Sequence, residues 1–133
     1  MKKLLLGLML LMTAGAASAE WTAVGETRGG TDDYIQYVDR ATIRRNGNFV
    51  KMWGLADFKT VQTVAGDSFL SQKMQWEFDC KDEKSRLLAY HWFDGKIGNG
   101  KVVVSNGSYR DEWSPISPGS SGEALWKIAC GKK

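Results

Sequence analysis

Cys80, Cys130, His91 and six tryptophans are the side chains of this 133-residue sequence with the most chemistry to offer. Nucleophilic catalysis by serine or cysteine needs a base within hydrogen-bond reach, and the single histidine stands between Tyr90 and Trp92 in a run that reads as a strand. A lone histidine there is more often structural than catalytic. Without a second histidine, and with both cysteines expected to be oxidised, the usual catalytic zinc sets lack ligands, and no phosphate-cradling glycine motif occurs. No metal, no cofactor and no enzymatic activity are expected. The acidic doublets Asp32-Asp33, Asp82-Glu83 and Asp111-Glu112 contain the residue type that runs glycoside hydrolysis. They fall in expected turns, where neighbours in an extended chain point to opposite sides, so solvated loop charge is the simpler account.

The cysteines acquire a role from the start of the chain. Lys2 and Lys3, the apolar run Leu4 to Met12 and the small residues Ala17-Ser18-Ala19 read as a secretory signal over residues 1–19, with cleavage expected before Glu20. The run is too short to cross a bilayer and no later segment is longer, so no membrane span is expected. No cysteine follows the run, where Thr13-Ala14-Gly15-Ala16 stands, so no lipid anchor is expected either. An exported chain meets an oxidising compartment, the periplasm, outer surface or medium, and Cys80 and Cys130 should pair there. Closing a loop of about fifty residues contributes roughly 4 kcal/mol in the loop-entropy model.

Two of the 18 basic residues lie in the leader, which leaves 16 against 15 acidic ones and a nearly neutral mature chain. Nucleic acid is therefore an unfavoured partner, because phosphate binding draws on clustered, unbalanced Lys and Arg. Residues 20–133 suit one domain with one core.

The elements that must position these side chains are mostly strands. Turn signals recur at Gly29-Gly30, Asn46-Gly47, Gly66-Asp67, Asp94-Gly95, Gly98-Asn99-Gly100 and Asn106-Gly107-Ser108. Asn46-Gly47 predicts a tight hairpin between Thr42 to Arg45 and Asn48 to Leu55. From Leu70 the even positions Met74, Trp76, Phe78 and Cys80 alternate with Ser71, Lys73, Gln75, Glu77 and Asp79, which predicts a strand with the first set in the core and the second in water. In Ser85 to Phe93, Leu87, Ala89 and Phe93 fall on one face and Leu88, Tyr90 and Trp92 on the other, as in a strand near the centre of a sheet with both faces covered. Val102 to Val104 forms a further short strand. Tyr109 to Gly119, which holds both prolines, is too rich in turn formers for regular structure. Ser120 with Glu123 then makes a capping box that starts a helix running to about Cys130, with Leu125, Ile128 and Ala129 in one apolar stripe, Glu123 and Lys127 on the wet side, and Gly131 as the stop. The expected fold is α+β, mainly β: an antiparallel sheet of about five to six strands, with one C-terminal helix packed on it and disulfide-linked to a strand.

Binding rather than catalysis is the expected function, and the aromatics supply its candidates. Trp76 and Trp126 face the expected interior, whereas Trp113, with Tyr109 in the same proline-containing stretch, could anchor a partner or fold back over the core edge. Arg44 and Arg45 at the hairpin tip could meet an acidic partner, though hairpin-tip charge commonly serves solubility. Tyr90 and Trp92 could wall a pocket.

Taken in order, Tyr37-Val38-Asp39 with Thr42-Ile43, Trp53-Gly54-Leu55 with Asp57-Phe58-Lys59, Glu77-Phe78-Asp79-Cys80, Gly98-Asn99-Gly100, Trp113-Ser114-Pro115-Ile116 with Pro118-Gly119-Ser120, and Leu125-Trp126-Lys127 up to Cys130-Gly131 resemble the surface-adhesin protein E family of proteobacterial envelope proteins. The resemblance spans nearly the whole mature chain. It implies an antiparallel sheet bridged to a C-terminal helix through the two cysteines, and adhesion to a protein partner such as a host extracellular-matrix protein. It supplies no catalytic residues. The leading expectation is an exported, adhesin-like protein-binding domain. The alternative is a periplasmic module that binds a small ligand or inhibits an envelope enzyme, and a strand apolar on both faces also raises a homodimer.

Overall fold

The computed structural model describes residues 19–106 and 112–133. Residues 1–18 of the expected leader and Tyr109 lie outside those residues. The chain runs β1 (Thr22–Glu26), β2 (Tyr34–Asn46), β3 (Phe49–Val64), β4 (Asp67–Asp79), β5 (Lys84–Phe93), β6 (Val102–Asn106), β7 (Ser114–Pro115) and α1 (Ser121–Cys130), with one turn of 3-10 helix at Lys96–Gly98. Six strands pair antiparallel in sequence order from β1 to β6, and the two-residue β7 joins β5 at Lys84 and Ser85. The expected sheet and helix are present, with β7 added inside the stretch expected to be irregular.

Each hairpin follows from its turn residues. Asn46 pairs with Phe49, so the first turn is Gly47-Asn48, one residue later than expected, and Gly47 takes the positive φ of 61° that such a turn requires. Val64 pairs with Asp67 around Ala65-Gly66, both with positive φ. At Cys80 the chain turns under the Asp79 carboxylate, whose Oδ1 accepts the Lys81 and Asp82 N–H groups.

On one face of the sheet, Val38, Val50, Met52 and Phe78 pack with Leu125, Trp126, Ala129 and Cys130 of α1. The helix stripe is as expected, and Ser120 Oγ accepts the Glu123 N–H at 3.1 Å. The return half of the capping box differs: the Glu123 carboxylate accepts from Gly119, because the Ser120 N–H is already donated to Ser117 O. Gly131 ends the helix in the left-handed region. Cys80 and Cys130 are bonded, Cα atoms 5.6 Å apart, and the Trp126 indole N–H donates to Asp79 O at 2.9 Å beside the bridge. Farther along the same face α1 gives way to a second cluster of Ala56, Phe58, Phe69 and Met74, around which Tyr34, Trp76, Leu87, Tyr90 and Trp92 are packed. Its rings interlock: Phe69 stacks on Trp92 at 4.3 Å, and Phe58 meets Tyr34 and Phe69 edge-on.

Three expectations are corrected. Period-two alternation on β4 holds for Met74 and Phe78, but Ser71, Glu77 and Asp79 on the other face are buried as well, since that face is covered by other segments rather than by water. β5 lies next to the edge strand β6, not at the centre, which β3 and β4 occupy. A bulge at Leu88, skipped between the pairs Gln75 with Ala89 and Trp76 with Leu87, moves Leu87 to the face of Tyr90 and Trp92, because one extra residue in a strand reverses the alternation.

Candidate functional site

The face of the sheet that turns away from α1 carries the candidate site. At one end of it, the segment between β5 and β6 folds back over β3 and β4. Ser71, fully buried, donates its hydroxyl to Gly95 O at 2.7 Å and accepts the Gly98 N–H at 2.8 Å. Buried Asp57 accepts the Ile97 N–H at 2.8 Å, and the Lys96 ammonium donates to Phe58 O. These polar ties hold the 3-10 turn as a strap, a job that apolar packing does for the helix on the other side.

At the opposite end Trp113 lies over the sheet, its ring 5.5 Å from that of Phe49 and 4.6 Å from the Arg86 guanidinium. Arg86 Nε in turn donates to Glu77 Oε1 at 2.8 Å, on the neighbouring strand. Trp113 therefore folds back as a half-buried cover of the sheet rather than projecting as a free anchor, and it explains why Glu77 is buried.

Between the strap and Trp113 the face opens into a cleft of about 490 Å³ lined by Trp21, Asp39, Trp53, Lys73, His91 and Phe93 among others, and by Ala19, the last residue of the expected leader. These residues come from the approach to β1 and from β2, β3, β4 and β5, and Val102 and Ser105 add β6. Five strands, β2 to β6, and the segment leading into β1 thus frame one concavity, and local irregularity shapes it. The pairing of β2 with β3 breaks between Asp39 and Arg44. There Thr42 Oγ1 donates to Asp39 O at 2.6 Å and accepts the Trp53 N–H at 2.9 Å, while Asp39 Oδ1 accepts the Ala41 N–H at 3.1 Å. The bulge so fixed bends β2 and seats Trp53. The Trp53 and His91 rings stack, 5.8 Å apart and 15° from parallel, and His91 Nδ1 is 2.7 Å from Ser105 Oγ. Lys73, the cross-strand partner of His91, holds its Nζ 4.9 Å from the Phe93 centroid and 5.9 Å from that of Trp21.

The other sequence candidates do not join this cleft. Tyr90 and Trp92 lie on the helix side, where with Val64, Gln72 and Leu87 they line a smaller groove of about 310 Å³, and Trp92 Nε1 donates to Gln72 Oε1. Arg44 spends its guanidinium on Ala41 O and Ile43 O at the exposed hairpin, and Arg45 is exposed beside it. The residues that do meet, Trp21, Trp53, Lys73, His91 and Phe93, were missed as a set. The odd positions of β4 that were assigned to water were the available signal, since Lys73 is one of them.

An antiparallel sheet, one terminal helix stapled to it by a disulfide, and an aromatic cleft on the opposite face define the class. The model of the surface-adhesin protein E family matches residues 21–131, and the chain belongs to that family. Among solved structures, crystal form II of Haemophilus influenzae protein E is similar with a TM-score of 0.61 at 13% identity, covering 85% of this chain and 97% of that one. The selenomethionine form of the same protein gives 0.60 at 12%, covering 83% and 95%. At such identity the likeness is one of fold. No curated protein sequence matches the chain.

Proposed function

We propose that this chain is an exported, non-catalytic envelope domain that recognises a protein partner through the cleft face of its sheet. The observation that carries the reading is the concavity framed by β2 to β6 and the segment leading into β1, where three large aromatic side chains, Trp21, Trp53 and Phe93, converge with a lysine. Aromatic residues in a desolvated hollow are the groups that dominate protein recognition. Membership in a family of surface adhesins supports the same reading, and the partner class that the resemblance implies is an extracellular-matrix protein. The test is binding of the purified exported protein to immobilised matrix proteins and to envelope extracts. Saturable binding is expected, weakened about tenfold or more by Trp53→Ala. If neither surface retains the protein, the reading fails.

A small-ligand module is the second reading, and the cleft volume favours it, because about 490 Å³ lies within the range of ligand pockets. Tryptophan quenching by small molecules but not by proteins would select it. A homodimer would cover the same face and compete with the partner; light scattering that finds a monomer at high protein concentration would remove it.

A further inference from the structure

Lys73 is a half-buried cation set among aromatic rings. Four ion pairs join described residues, and none includes Lys73. Its ammonium lies instead near the rings of Phe93 and Trp21. The residue is half-buried, and cation–π attraction does not use its N–H donors, which can still meet an acceptor that enters the cleft. Its stem is also restrained. Gly98 of the strap packs so closely that a Cβ built there would sit 2.5 Å from Lys73 Cε. The strap therefore backs the stem while the head shares the cleft with Trp53, His91 and Phe93.

Asp39 sets a limit on the charge that could join it. It is buried in the same cleft wall, and the hydrogen bond recorded for its carboxylate comes from the Ala41 backbone, so a ligand with several negative charges would meet repulsion there. One negative charge, placed on Lys73, is what the site accommodates. Beside Thr42, His91 and Ser105, the lining offers the flat apolar faces of Trp21, Trp53 and Phe93, which suit a ring.

Resting on the reading of this cleft as the recognition site, we propose that it takes a flat apolar ring bearing a single carboxylate, with the carboxylate on Lys73 Nζ and the ring among Trp21, Trp53 and Phe93. That chemistry belongs both to free aromatic acids and to a protein chain that ends in an aromatic residue. In either case the gain comes from a charge-assisted hydrogen bond in a partly desolvated site, which separates acid from neutral analogue by about tenfold or more.

The experiment is calorimetric titration of the purified exported protein with indole-3-acetate and with its neutral analogue indole-3-acetamide. A parallel arm uses N-acetyl-glycyl-tryptophan as free acid and as amide. Each acid that binds is expected to do so about tenfold or more tightly than its amide, and Lys73→Met should abolish that preference while Lys73→Arg keeps it. Binding of both acids, or of the peptide acid alone, assigns the site to a chain end; binding of indole-3-acetate alone assigns it to a small molecule. Amides that bind as tightly as acids, or no binding in either arm, overturn the proposal, and this comparison needs no variant to fold. Matrix-protein binding by the same preparation reports separately on the broader reading, so that reading can stand while the ligand class falls.

Discussion

On the helix side of the sheet, Phe78, Met52, Val38 and Val50 are essentially withdrawn from water beneath α1, and a covalent bridge fixes the helix end. On the cleft side the cover is a strap held by Ser71, Asp57 and Lys96 and an aromatic pad held by Arg86 and Glu77, with a gap between them. Apolar burial is non-directional and grows with area, so it favours closing the whole surface. Hydrogen bonds act at fixed points and leave intervening surface open. The molecule thus derives its stability mainly from one face and keeps the proposed recognition surface on the other.

The largest effect that would break this division comes from the bridge. Replacing both cysteines with alanine should lower stability by about 4 kcal/mol in the loop-entropy model. Hydrogen exchange should locate the loosening in α1 and β4 near Cys80, while binding to the cleft face survives wherever the protein remains folded. Loss of binding without loss of stability would show that the helix side reaches across the sheet.

Ser71→Ala tests the other cover. The hydroxyl serves Gly95 O and Gly98 N together, and its removal orphans two backbone groups at a fully buried position. A cost of about 1–3 kcal/mol is expected, less than that of the bridge. Since the strap backs Lys73, the same change should also alter cleft binding, as the double cysteine variant should not. Equal effects of both variants on binding would remove the distinction between the faces.

How far this division was legible in the sequence depends on the chemistry of each face. The helix side was readable because its signals are local or covalent: Ser120 with Glu123 starts α1, Leu125 and Ala129 form its stripe, and Cys80 and Cys130 have only each other. The cleft side was not, because its residues are set by register. The Leu88 bulge reverses the alternation on β5, and the break after Asp39 decides where Trp53 points, and neither has a signature in residue type alone. Lys73 and Ser71 alternate with core residues as surface positions would. What buries Ser71 is a strap more than twenty residues further along the chain, so no window of local pattern could report it. The motif Tyr37-Val38-Asp39 with Thr42 carried the family resemblance, and the structure gives it a physical role as the bulge that seats Trp53.

The smallest expected effect lies at the β1 edge, which leads into the cleft through Trp21. Glu26 accepts a hydrogen bond from Lys59 at 3.0 Å and another from Arg28 at 2.9 Å. These two cations, Lys59 foremost, hold its carboxyl below the ordinary carboxylate range. A carboxylate whose folded-state value is depressed adds stability that is present above its unfolded value, about 4.5, and is lost as pH falls through the lower folded one. Thermal unfolding of Glu26→Gln and of the unaltered protein should therefore differ slightly at neutral pH and converge on acidification. High salt should shrink the neutral-pH difference, because the group is at the surface and screened. A difference that persists unchanged in strong acid would mean that packing, not charge, ties β1 to β3, and the β1 edge would then resemble the helix side in its chemistry.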